Sequence, residues 1–387
     1  MMILIWCLIT CIASFVSCKN LCPNCLGKIH THEQLELTKQ SVIINPKQIC
    51  SNDKYKFIVI IKSGLDIQRR NFTRSTWAKE LNEHFNVPIL YALSVPPSNS
   101  SLQAQIDREN ELFHDILQFN LIESYYNLTL KTTSVLLWYE KYCSQTSDYL
   151  FYVDDDILVH VDQFMFYMNT INQTTSIQGW FEKFGKIQRR GLGGVSKEDF
   201  PIDIVPDYLW GAAVLYPSTI ITNILIKEIF HTKLPIFFRD DVFINGFIAD
   251  QARIVRQQMP GLVLYDPSSD DLKRNMIVID FKQEQHRIRA WNCYKYELTC
   301  NEKHVLVVIK ICLGISLILT LISFGLTHIP RTFINEIRFI FYDLQHLLPW
   351  KINWNLFRRK LQRFNKFSAL NTIIFFTLYL FIQNKFQ

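Results

Sequence analysis

The stretch Tyr149-Leu150-Phe151-Tyr152-Val153-Asp154-Asp155-Asp156 decides how this chain is read. An unbroken apolar and aromatic run that ends in three carboxylates describes a buried strand delivering charge to an exposed end. Adjacent carboxylates repel one another unless a positive charge lies between them. Oxygen donors of this kind suit Mg2+, Mn2+ or Ca2+ rather than zinc. Taken alone, the triplet also reads as a solvated acidic turn, which is the more frequent case. Its neighbours have to decide.

Upstream, short apolar runs alternate with helical spacing. Residues 56–62 and 87–93 read as strands, and 69–81, 101–114 and 128–143 as helices. Buried strands alternating with helices predict an α/β fold with a mostly parallel sheet, whose ligands sit beyond the carboxyl ends of the strands. The triplet stands at such an end. Downstream, further helices are expected near 218–230 and from Arg239 onward.

The ends of the chain have a different character. Residues 1–18 read as a signal peptide, with an uncleaved signal anchor as the alternative. Residues 305–326 are apolar apart from Lys310 and long enough to span a bilayer. The following residues, 327–368, hold eight basic side chains against two acidic ones, which places the tail 327–387 in the cytosol. A second short apolar segment, 369–382, lies in the interface, pairs with the first span or crosses a thin membrane. The formal charge of +6 belongs to this tail, and residues 19–304 carry about −2, so nothing points to nucleic acid.

Four Asn-x-Ser/Thr sequons, Asn71, Asn99, Asn127 and Asn172, all precede the span, as a lumenal domain requires. Six cysteines, Cys22, Cys25, Cys50, Cys143, Cys293 and Cys300, lie in the same region and read as disulfides. Residues 19–54 lack periodicity and read as a stem. The expected order is signal, stem, lumenal domain over 55–303, span and basic tail.

Chemistry-bearing motifs follow one another through the lumenal domain. Arg69-Arg70 with Arg74 and Trp77 opens a helix, where arginines suit a diphosphate or an acidic loop. Lys131, early in another helix, can reach a phosphate. Tyr208 followed by Gly211 suits a stacked sugar and a close backbone approach. Asp240-Asp241-Val242 offers either a helix cap or a general base.

From about residue 57 to 291, these motifs in this order resemble the β-1,3-galactosyltransferase and N-acetylglucosaminyltransferase group, glycosyltransferase family 31. The most specific element is Tyr125-Tyr126-Asn127-Leu128-Thr129-Leu130-Lys131-Thr132. The resemblance implies a GT-A-type, Rossmann-like domain and an inverting hexosyltransferase taking its sugar from UDP-galactose or UDP-N-acetylglucosamine. It also implies Mn2+ (or Mg2+) as cofactor, a β-1,3 linkage to a glycan acceptor on protein or lipid, and residence in the Golgi or ER membrane. Carried over residue by residue, Asp241 is the catalytic base, and Arg70, Arg74, Lys131, Asp154, Asp155 and Gly211 face the donor. Asp154 and Asp156 hold the metal, with Asp156 the direct ligand. The family's metal-binding His would fall at Asp280, with His286 nearby. The C-terminal span also departs from the family's N-terminal anchor. The alternative reading is a catalytically silent member that binds glycans or acts as a membrane-bound chaperone.

Overall fold

The structure, a computed structural model, describes residues 28–51, 53–97, 100–172, 175–191, 193–264, 277–279 and 284–296. All lie in the first of two units, which ends at Tyr296. The signal 1–18, the sequon Asn99, the span 305–326 and the tail 327–387 lie outside the described residues. Among the described residues no helix is long and apolar enough to cross a membrane.

In chain order the elements begin with β1 (Ile29–His30), α1 (His32–Leu37), β2 (Val42–Ile44), β3 (Tyr55–Lys62), α2 (Ile67–Ser75) and α3 (Trp77–Phe85). Next come β4 (Ile89–Val95), α4 (Ser100–Phe113), β5 (Ile116–Ile122), α5 (Leu128–Tyr142), β6 (Ser147–Asp154), β7 (Leu158–Val159) and α6 (Val161–Thr170). The last group is β8 (Ser176–Glu182), β9 (Tyr208–Pro217), α7 (218–231), β10 (Ile236–Phe237), α8 (240–251), β11 (Val255–Gln258), β12 (Leu262–Leu264), β13 (Ile277–Ile279) and α9 (Glu284–Tyr296).

Eight strands form the main sheet in the order β11-β8-β9-β6-β3-β4-β5-β2. The expected α/β class holds, but the sheet is mixed. β3, β4, β5 and β6 pair in parallel, whereas β9 runs antiparallel between β6 and β8. Among its described residues the long β8–β9 connection carries no crossover helix, which a parallel return would need, and its sequence has no helical period.

Successive side chains of β3 enter opposite cores. Ile58 and Ile60 join Trp138 and Leu136 of α5 on one face, while Phe57, Val59 and Ile61 join Trp77 and Phe164 on the other. Burial on both faces explains why these strands read as continuous apolar runs.

The stem expectation fails from residue 28 onward. β2 pairs with β5 at the sheet edge, β1 pairs with β10, and the His30 ring bonds the Tyr126 carbonyl at 2.7 Å. A disulfide joins Cys50 to Cys143, fixing this segment to the end of α5 across 93 residues. These partners are distant in sequence, so no local period could announce them.

Candidate active site

β3 and β6 run in register, and Lys62 at the end of one stands beside Asp154 at the end of the other. The strand order reverses here. From β3 the chain adds β4 and β5 on one side, then returns to place β6 on the other. Ligands of open α/β sheets collect at such reversals, beyond the carboxyl ends of the strands.

Lys62 Nζ lies 3.0 Å from Asp154 Oδ1 and 3.0 Å from Asp240 Oδ2, and donates to the Gly211 carbonyl at 3.4 Å. Burial would lower the Lys62 ammonium, but Asp154 and Asp240 more than offset it and hold the side chain as a cation. Thr132, in the second turn of α5, donates to the same Asp240 oxygen at 2.6 Å. Burial pushes the Asp240 carboxyl up, yet Lys62 and Thr132 outweigh it and keep it below the usual carboxylate range.

The three aspartates of the triplet separate in role. Asp155 turns inward, where Ser63 Oγ donates at 2.7 Å and Arg69 Nη1 at 3.1 Å; Arg287 of α9 donates to its main-chain carbonyl at 2.7 Å. Asp155 therefore braces the strand end instead of facing solvent. Asp154 and Asp156 keep side chains 32% and 30% exposed. Partial burial and the neighbouring Asp156 push the Asp154 carboxyl up to about 7 against the pull of Lys62.

This donor set fits a divalent cation shared with a diphosphate, since such ions take one or two protein carboxylates and complete their shell with phosphate and water. Asp154, Asp155, Asp156 and Asp240 also outnumber the cations Lys62, Arg69 and Arg287 around them. Asp280 and the side chain of His286 lie outside the described residues. Among the described residues no group of three or more metal-ligating side chains converges.

Gly211 separates this centre from Asp241. A Cβ on Gly211 would stand 3.4 Å from Lys62 Nζ, from Asp240 Oδ1 and from Asp241 Cβ, so the glycine leaves open the space these groups border. Asp241 Oδ1 accepts the Val242 amide at 2.7 Å, and Oδ2 accepts Arg239 Nη2 at 2.9 Å. Burial raises the Asp241 carboxyl above its ordinary value; Arg239 opposes this and Asp240 adds to it. A carboxylate raised in this way is suited to taking a proton. The helix that carries it widens into π-type turns over Phe243–Ile248, a local irregularity frequent at functional sites.

Other expected residues lie elsewhere. Arg70 is buried against Glu109, with both contacts at 2.7 Å, and donates to the Gly64 carbonyl at 2.6 Å. Arg74 bridges Glu109 and Asp115 at 2.6 and 2.8 Å. Both guanidiniums thus face buried or half-buried carboxylates instead of the triplet, a pairing that short-range spacing could not reveal. Lys131 is buried too, donating to the Ser63 carbonyl at 2.6 Å and to Glu123 at 2.8 Å. It braces the β3 end from below. Tyr208 is packed by Gly185 and Gly246, leaving little ring face for a sugar.

Of the sequons, Asn71 and Asn172 are exposed. Asn127 is buried, its amide donating to the Ile122 carbonyl at 2.8 Å, which leaves no room for a glycan. Sequence reasoning missed Lys62, Thr132, Arg239 and Arg287 as site residues, and left Asp240 between a helix cap and a general base. Only Lys62 had a local signal, as a cation closing an apolar strand.

With this geometry in place, residues 68–260 match the family model described as Galactosyltransferase. The beta-1,3-galactosyltransferase bre-2 of Caenorhabditis elegans is 27% identical over 256 residues, spanning 62% of this chain and 67% of that protein. The human lactosylceramide 1,3-N-acetyl-beta-D-glucosaminyltransferase is 28% identical over 232 residues, 56% of this chain and 59% of that one. The chain thus matches little more than half the length of the human relative. Among solved structures, a glycosyltransferase involved in glycosylation of the major capsid of PBCV-1 superposes with a TM-score of 0.34 at 9% identity, covering 62% of this chain and 99% of that one. By its domain, the protein is of the glycosyltransferase class. More narrowly, residues 68–260 form a domain of the galactosyltransferase family.

Proposed function

We propose that this chain is an inverting hexosyltransferase with a GT-A-type domain. It moves galactose or N-acetylglucosamine from a UDP-sugar to a hydroxyl of a glycan acceptor on protein or lipid, through a β-1,3 linkage. The observation that carries this reading is the pairing of two acidic centres across Gly211. One is the partly exposed Asp154 and Asp156, in surplus over their cations, and the other is the mostly buried Asp241.

The chemistry is a single displacement. The acceptor oxygen bonds to the anomeric carbon as the bond from that carbon to UDP breaks, and the acceptor proton passes to Asp241. Asp154 and Asp156 would share a divalent cation, Mn2+ or Mg2+, with the donor diphosphate, which supplies neutralisation of the charge developing on departing UDP. Lys62 holds Asp154 and Asp240 at fixed separation, and Asp155 with Arg69 and Arg287 locks the strand end that presents the ligands. The exposed sequon residues Asn71 and Asn172 and the Cys50–Cys143 disulfide support a lumenal domain in the Golgi or ER, held by the span 305–326.

The test is UDP release from UDP-galactose and UDP-N-acetylglucosamine, with an acceptor panel covering β-linked galactose and N-acetylhexosamine termini. Release should require Mn2+ or Mg2+, stop with EDTA, and vanish in Asp156→Ala. Absence of metal-dependent release and transfer with both donors would sink the enzyme reading.

A further inference from the structure

Arg239 sits outside the motifs that the sequence offered, two residues before Asp241 and immediately ahead of α8. Its Nη2 reaches Asp241 Oδ2 at 2.9 Å, with the Arg239 side chain 27% and the Asp241 side chain 14% exposed. Tyr208, at the start of β9, stands within the field of the same guanidinium. Tyr125, an exposed ring packed edge-on against Phe238 at 5.5 Å between centroids, is also within the field of this charge. The guanidinium thus lies against one oxygen of the candidate base. The Val242 amide anchors the other oxygen. Each carboxylate oxygen carries two lone pairs, so one remains on each for an incoming hydroxyl.

We propose that Arg239 is a positioning residue for Asp241, holding its carboxylate ionised and fixing the direction from which it accepts the acceptor's proton. This rests on the transferase reading above. The electrostatic surroundings make the demand clear. Asp240 faces Asp241 from the same helix with a charge of the same sign, while Tyr208 of β9, Tyr125 ahead of α5 and Lys62 of β3 border the site. Glu182, at the end of β8, adds negative charge near Tyr208. Lys62 is already paired to Asp154 and Asp240. Arg239 is therefore the cation in direct contact with Asp241. Without it a carboxyl beside another anion would stay protonated further into the neutral range, and a protonated carboxyl cannot act as a base.

The experiment compares Arg239→Gln and Arg239→Lys with the unaltered full chain. First, transfer from UDP-galactose or UDP-N-acetylglucosamine is followed against pH. In Arg239→Gln the acid limb of kcat should move up by about one to three pH units, the usual effect of a contacting arginine on an aspartate. In Arg239→Lys the limb should stay near its original position while kcat falls, because charge is kept and the planar fork is lost. An unmoved limb in Arg239→Gln would overturn the proposal, since a merely structural role lowers yield without shifting it. Second, Tm is measured against pH for Arg239→Gln, Asp241→Asn and the double variant, which needs no substrate. The Tm loss in Arg239→Gln should grow as pH rises and Asp241 ionises, and shrink in the Asp241→Asn background. Equal losses in both backgrounds at every pH would also overturn it. If Asp241→Asn retains transfer, the transferase reading of Asp241 fails separately, whatever the Tm cycle shows.

Discussion

Two clusters of arginine or lysine with carboxylates stand on opposite sides of Ser63, and they have opposite characters. In the first, Arg70 and Arg74 of α2 meet Glu109 of α4 and Asp115, two cations against two anions. Arg70 and Glu109 have side chains 1% exposed. Burial would raise Glu109, but the two arginines outweigh it and hold the carboxyl below its usual range. In the second, at the β3 and β6 ends, carboxylates exceed cations, Asp154 is raised and the outer aspartates remain accessible. A balanced, closed cluster fixes the position of a helix. An unbalanced, open one leaves carboxylate charge uncompensated and accessible. The same residue types do both, and only charge balance and access separate them.

The largest expected effect lies on the open side. Asp241→Asn should reduce kcat by about 10²- to 10⁴-fold, the range for loss of a general base, with Tm little changed. A variant that still transfers at near the original rate would erase the functional half of the contrast. The closed side should show the reverse. Arg70→Met leaves Glu109 buried with only Arg74 as a cation, which should destabilise the fold by about 3 kcal/mol in urea unfolding, towards the low end for a broken buried pair. Since Glu109 is held below its ordinary range, the stabilisation it contributes is present at neutral pH and lost as pH falls. The gap between Arg70→Met and the original chain should therefore narrow in acid. A gap that widened in acid would mean the cluster is not charge-balanced. Gly211→Ala should be smallest. The added methyl would occupy the space between Lys62, Asp240 and Asp241, lowering kcat by about tenfold through a displaced acceptor while shifting stability by less than about 1 kcal/mol. An unchanged kcat would show that the two acidic centres do not work across this glycine.

Much of the open site was legible. An apolar run ending in the Asp triplet, a glycine three residues beyond Asp-Tyr and an Asp pair opening a helix are local patterns, and the fold brought them together. The closed cluster was not legible, because Arg70 and Glu109 are paired across 39 residues by the packing of α2 on α4. Arg70 and Arg74 therefore read as phosphate ligands when their partners are carboxylates. Asn127 reads as a glycan acceptor by its sequon, but packing buries it beneath the turn before α5.

By itself the sequence determined the α/β class, the strand that carries the triplet, and the residue types able to hold a cation and take a proton. These follow from hydrophobic period and from chemistry confined to a few neighbouring residues. Tertiary structure alone decided which aspartate of the triplet turns inward, that Lys62 ties Asp154 to Asp240, and that Arg239 lies on Asp241. It also drew the supposed stem into the sheet edge and sealed it with Cys50–Cys143. A charge's role depends on its partner, and the partners here come from strands and helices distant in the chain.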